Sequence, residues 1–123
     1  MLAGVTPSVV QIRPDDVNPD VIGSQVISAL RQMESELSRG LEAFYRRGTK
    51  AGIQAHHAAK LRLMLTALDY AKRPEDMNAP GWRFHALIGD MKGFYSVTVN
   101  ANWRVIFRFD GKDAELVNYL DYH

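Results

Sequence analysis

Apolar side chains fall at Ile22, Val26, Leu30, Met33 and Leu37, at spacings of four, four, three and four, the period of one face of an α-helix. Upstream, Asn18 is a capping residue, Pro19 suits a first helical position and Asp20 lies where the helix dipole favours an anion, so a helix is predicted to start there. Gly40 interrupts the stripe, Leu41, Phe44 and Tyr45 continue it, and Gly48 is read as its stop. A second helix is predicted over residues 53–71, burying Leu61, Met64, Leu65 and Leu68 while Lys60, Arg62 and Lys72 face outward. Ahead of both, Ser-Val-Val-Gln-Ile at residues 8–12 reads as a short strand closed by Pro14.

Beyond Pro80 the period changes from 3.6 to 2. Residues 82–87, 94–99, 103–109 and 114–120 are predicted strands, joined by short connections rich in Gly, Asn and Asp. Such connections favour antiparallel pairing of consecutive strands. The fold class that follows is α+β, with N-terminal helices packed on one face of a four-stranded antiparallel sheet.

Composition narrows the setting. A chain of 123 residues suits one domain that buries about two-thirds of its unfolded surface. The absence of cysteine removes disulfides and thiolate zinc sites. No apolar run approaches the roughly 20 residues that span a bilayer, and the first residues lack the pattern of a signal peptide. A soluble cytoplasmic protein, with no membrane partner, is expected. Residues 1–40 hold three arginines against five acids, and residues 41–123 hold twelve Lys and Arg against nine acids. The basic excess in the second part favours a polyanionic partner there.

Strand phase shows where chemistry would gather. Trp103, Val105, Phe107 and Phe109 share one face, the natural core face, and Arg104, Ile106 and Arg108 share the other. In residues 82–87, Trp82 and Phe84 alternate with Arg83, His85 and Leu87. With both aromatic sets turned to the helices, Arg83, His85, Arg104 and Arg108 line the opposite, open face, where a polyanion would lie. The chain finishes Asp121-Tyr122-His123, an acid, a phenol and an imidazole side by side. His56 and His57 are adjacent on a helix, cannot share a face for metal binding, and are read as surface.

The stretches "GTKAGIQAHHAAKLRLMLTALDYA", "MNAPGWRFHALIGDMKGFYSVTVNANWRVIFRF" and "YLDYH" together resemble the HigB-type toxins of the RelE/ParE superfamily of type II toxin–antitoxin systems. Four features carry the resemblance in order: a Gly-Ile-Gln helix start, His-x-Leu-x-Gly-Asp, Asn-Trp-Arg, and a terminal Asp-Tyr-His. It spans residues 40–123 and sets residues 1–39 apart as an atypical extension. What it implies is a RelE-like fold and a ribosome-dependent mRNA endonuclease acting in the ribosomal A site. The implied antitoxin is of HigA type, with a helix-turn-helix domain. The implied catalytic cluster falls on His85, Arg104, Asp121, Tyr122 and His123, with no cofactor and no metal. Arg83, Lys92 and Arg108 are the candidate phosphate contacts, on placement.

These residue types suit metal-independent attack by the ribose 2′-OH. Two imidazoles are poised for proton transfer, and Arg104 would hold phosphoryl oxygens where charge builds. Asp121 either orients an imidazole or takes the hydroxyl proton; Tyr122 either stacks on a base or donates to phosphate. Two departures from the family stand out. Ile88 occupies a position where several members have Lys, and a helical, acidic segment replaces the usual first strand. That segment is read as a fusion displacing the strand, as an arm for self-association, or as a built-in cover for the basic face. Competing functions are a ParE-like toxin that poisons gyrase and an attenuated homologue that only binds antitoxin.

Overall fold

The computed structural model describes residues 24–121. The predicted strand at residues 8–12 and the helix start at Asn18, Pro19 and Asp20 lie outside the described residues, as do Tyr122 and His123. Within them the chain runs through α1 (Gln25–Met33), α2 (Glu36–Arg47), α3 (Ala58–Tyr70), β1 (His85–Ala86), β2 (Phe94–Asn100), β3 (Trp103–Asp110) and β4 (Asp113–Asp121). The strands form one sheet in the order β1-β2-β3-β4, every neighbouring pair antiparallel. The α+β class is as expected. Leu61, Met64, Leu65 and Leu68 of α3 and Val97, Val105, Phe107 and Tyr119 of the sheet are all 0% exposed. Burying each such side chain is worth about 1.5–3 kcal/mol, and together they weld helices to sheet. Among the described residues no helix is long and apolar enough to cross a membrane.

The single long helix expected up to Gly48 is two helices. Glu34 adopts a left-handed conformation, φ 51°, and ends α1. Ser35 then starts α2 with a reciprocal cap: its Oγ accepts the Ser38 N–H at 2.9 Å and the Ser38 Oγ accepts the Ser35 N–H at 3.0 Å. That cap satisfies two orphan donors at once. Gly40, the gap in the apolar stripe, lies inside α2 and serves a close approach. A Cβ there would sit 2.6 Å from the Gly52 carbonyl oxygen, so Gly40 and the Gly52 of the Gly-Ile-Gln motif touch backbone to backbone. The stop at Gly48 is as read: φ 78°, with its N–H donating to the Phe44 carbonyl.

α1 lies along the free edge of β4. Gln25 Oε1 accepts the Ala114 N–H at 3.0 Å, and Gln32 Oε1 accepts the Leu116 N–H at 2.7 Å. Two glutamines thus take backbone donors that an edge strand otherwise leaves open to another chain. Gln25 Nε2 also donates to the carbonyls of Leu68 and Ala71, at 2.8 and 2.9 Å, tying the end of α3 to the same edge. Asp69 completes the clamp, accepting Val26 N–H at 3.0 Å, Tyr45 Oη at 3.0 Å and both contacts from Ser24 Oγ, at 3.0 and 2.9 Å. Burial, reinforced by the neighbouring Asp69 carboxylate, pushes the Tyr45 phenol far above its usual range, which keeps it a donor. The apolar stripe of α1, Val26, Ala29 and Leu30, is at most 1% exposed. It is used inside the chain.

The expected strand at residues 82–87 shrinks to β1, His85–Ala86. Arg83 takes φ 54°, which breaks the ladder, although the Thr98 N–H still donates to the Trp82 carbonyl at 2.7 Å and Leu87 N–H to the Phe94 carbonyl at 2.8 Å.

Candidate active site

The left-handed backbone at Arg83 is a sparsely populated state for a non-glycine residue, and it turns the Arg83 carbonyl towards the next residue but one. His85 Nδ1 lies 2.9 Å from that oxygen. A carbonyl only accepts, so Nδ1 carries the proton, and in the neutral ring Nε2 holds the lone pair. His85 itself is exposed. One tautomer of an accessible imidazole is therefore held by the backbone before it.

Register places the partners. His85 pairs with Ser96, Thr98 pairs with Arg104, and Ser96 pairs with Ile106. Because paired residues share a face, His85, Ser96, Thr98 and Arg104 lie together on the side away from the helices, as expected for His85 and Arg104. The centre of that face is less open than expected. Ile106 is 3% exposed and Leu87 7%, both outside the main core cluster. Arg104 is half-buried, and its Nη1 donates to the Ala101 carbonyl at 2.8 Å and the Trp103 carbonyl at 3.4 Å.

The other sequence candidates fare unequally. Arg108 is committed to Glu115, with Nε at 2.8 Å and Nη2 at 2.6 Å from the same carboxylate oxygen. Arg83 and Lys92 are exposed, Lys92 just after the 3-10 turn Gly89–Met91. Ile88 is 87% exposed, so an apolar side chain projects into solvent where a cation stands in several toxins of the resembling type. Asp121 pairs with Trp103, and Leu120 stands across from Arg104. This corrects the expectation that the last strand delivers Asp121 to the Arg104 face: alternation assigns that place to Leu120. The β4 strand carries a bulge where the register shifts between Ile106 and Arg108, beside Leu116 at φ 52°, and sequence spacing cannot show which phase emerges beyond such a bulge. Tyr122 and His123 lie outside the described residues.

His57, read as surface, is a core residue at 2% exposure. Its Nδ1 lies 2.8 Å from Tyr119 Oη, which also accepts the Gln54 N–H at 3.3 Å. The reason for the misreading is local. A 3-10 turn, Ala55–His57, precedes α3 and rotates the second histidine inward while His56 stays exposed. Burial, with His56 second, holds the His57 imidazole below the usual histidine range, and burial raises the Tyr119 phenol. Beside this pair a cavity of about 250 Å³ is lined by Glu36, Leu37, Gly52, Gln54, Trp103 and Tyr119, among others. Sequence reasoning also passed over Ser96 and Thr98. Their signal was the polar half of the alternation Tyr95-Ser96-Val97-Thr98-Val99. Among the described residues, no cluster of three or more His, Asp or Glu side chains is arranged to hold a metal ion.

Residues 34–123 match the model of the RelE-like toxin of type II toxin–antitoxin system HigB. Over 85 residues the chain is 36% identical to Endoribonuclease HigB of Proteus vulgaris, covering 69% of this chain and 92% of that protein. It is 43% identical over 61 residues to Toxin HigB-1 of Vibrio cholerae, covering 48% of this chain and 62% of that protein. A helix-then-sheet fold and a matched segment running from α2 to the last strand lead to one conclusion: the chain belongs to the HigB family of RelE-like toxins of type II toxin–antitoxin systems.

Proposed function

We propose that this toxin is an endoribonuclease that cuts mRNA on the ribosome, in the cytoplasm, and that a HigA-type antitoxin restrains it. The observation that carries the reading is His85: exposed, with Nδ1–H on the Arg83 carbonyl, and on the same sheet face as Arg104. The name of the Proteus vulgaris relative, whose length is 92% covered, supports the same activity.

The reaction that suits these groups needs no cofactor. The His85 Nε2 lone pair takes or relays a proton, an exchange worth typically 10²–10⁴ in rate. The Arg104 guanidinium neutralises charge as the ribose 2′-oxygen attacks the adjacent phosphorus and the bond to the 5′-oxygen breaks, leaving a 2′,3′-cyclic phosphate while the departing 5′-oxygen takes a proton from the second acid–base group. To do so, Arg104 leaves the hairpin carbonyls it holds in the free chain. His123 is the second proton-transfer group, with Asp121 and Tyr122 beside it, as the family resemblance implies. Lys92 and Arg83 supply outer phosphate contacts, and Arg108 stays with Glu115.

The test is to express the toxin and map message 5′ ends. Wild type is expected to produce new ends within translated codons. His85→Ala and His123→Ala are each expected to reduce them by about 100-fold or more while the thermal midpoint is kept. Cutting undiminished in both variants would rule the mechanism out.

A further inference from the structure

Among the described residues, three buried side-chain polar atoms have no hydrogen-bond partner: Ser96 Oγ, Thr98 Oγ1 and Arg104 Nε. They are not scattered. Thr98 pairs with Arg104 across β2 and β3, Ser96 is two residues before Thr98 on the same face, and Ser96 pairs with His85 on β1. Directly paired side chains stand about 5 Å apart, so the three atoms belong to one patch beside the candidate imidazole. Ser96 is 1% exposed. Leaving such groups unpaired carries a free-energy penalty, and native proteins keep few of them, each calling for a reason such as a catalytic role or a bound ion.

The chemistry of the set names the ligand. Two hydroxyls and one guanidinium N–H can all donate together, and convergent donors of this kind fit an oxyanion. The acid on the same face, Glu115, is already bound to Arg108, so it does not oppose an anion. In the free chain Arg104 Nη1 is held by the Ala101 carbonyl, which keeps the guanidinium folded towards the β2–β3 hairpin.

We infer that Ser96 Oγ, Thr98 Oγ1 and Arg104 Nε form a binding site for a phosphate group of the RNA backbone, opened when Arg104 leaves the hairpin carbonyls. The inference rests on the ribonuclease reading and adds two residues to it. Ser96 and Thr98 grip the phosphate next to His85, and the penalty stored in the free chain is relieved only in the complex.

Single-turnover cleavage of an mRNA on programmed ribosomes, with thermal midpoints measured in parallel, tests this for Ser96→Ala, Thr98→Val, the double variant and Thr98→Ser. The double variant is expected to cut about tenfold or more slowly with its midpoint unchanged or raised, because removing unpaired buried polar atoms does not destabilise. Thr98→Ser, which keeps the hydroxyl, is expected to stay within about twofold of wild type. Should wild type cut while the double variant cuts equally well, or should the double variant's midpoint fall in step with its rate, the site is refuted. If wild type itself does not cut, the ribonuclease reading fails. The site is then judged by binding of a 2′-O-methyl RNA oligonucleotide: weaker binding in the double variant supports it, and equal binding overturns it.

Discussion

Asp69 on the helix side and Thr98 on the far face of the sheet are both half-buried polar side chains, yet their surroundings are opposite. Asp69 accepts from Val26, Tyr45 and Ser24, and Gln25 nearby uses both ends of its amide. Thr98 Oγ1 has no partner, nor have its neighbours Ser96 Oγ and Arg104 Nε. The helix layer therefore behaves as scaffold, in which each polar group that is removed strands another. The far face, on the proposed reading, is where RNA binds, and its unpartnered polar groups are not tied into the packing. Substitutions on the helix side should move stability, and those on the far face should move RNA cutting.

The strongest way to break this contrast is Asp69→Ala. It leaves the Tyr45 phenol, the Val26 N–H and the Ser24 hydroxyl without their acceptor, and the expected loss is about 3 kcal/mol, read from urea midpoints. Cutting per folded molecule should be unchanged; a loss under about 0.5 kcal/mol would show that Asp69 is not a keystone. Gly40→Ala comes next. Its Cβ would meet the Gly52 carbonyl oxygen at 2.6 Å, and that oxygen is backbone, which cannot swing aside. Overpacking of this kind costs about 1–3 kcal/mol against a helix-propensity gain of about 1 kcal/mol, so a net loss of about 1 kcal/mol is expected in the same assay. Equal or higher stability would mean that the loop yields freely.

The smallest effect sharpens the boundary between the regions. The folded His57 ring titrates below its usual range because it is buried, whereas in the unfolded chain it titrates near ~6.5. Above that pH both states are neutral and the full stability is present. As pH falls through it, the unfolded chain gains a proton that the folded chain refuses, so stability declines until the folded value is passed. Urea midpoints at about pH 7.5 and pH 5.5 should therefore fall on acidification, and His57→Gln should reduce the fall. An unaltered slope would assign it to other groups.

Much of the fold was legible because each element carries its own short-range signal. The stripe of Leu61, Met64, Leu65 and Leu68 and the alternation of residues 103–109 were read from period alone, and both bury the faces expected. His85 and Arg104 were likewise placed on one face by phase. Three of the misreadings share a cause, a single residue with unusual backbone geometry. Glu34 divides one predicted helix, Arg83 shortens a strand, and the bulge beside Leu116 carries Asp121 to the Trp103 side. None of the three is glycine, so composition gave no warning of their positive φ.

The residue sequence determined by itself the helix and strand periods, the four strands of the described sheet, their antiparallel order and the family motifs, because these depend on neighbours two to four positions apart or on short turns. Only the tertiary structure decided that two glutamines of α1 take the edge of β4, that His57 is buried against Tyr119, and that Ser96, Thr98 and Arg104 meet without partners beside His85. Those contacts join residues far apart in the chain. Their existence depends on register and on the balance of hydrogen bonds across a whole packed layer, quantities that no local pattern encodes.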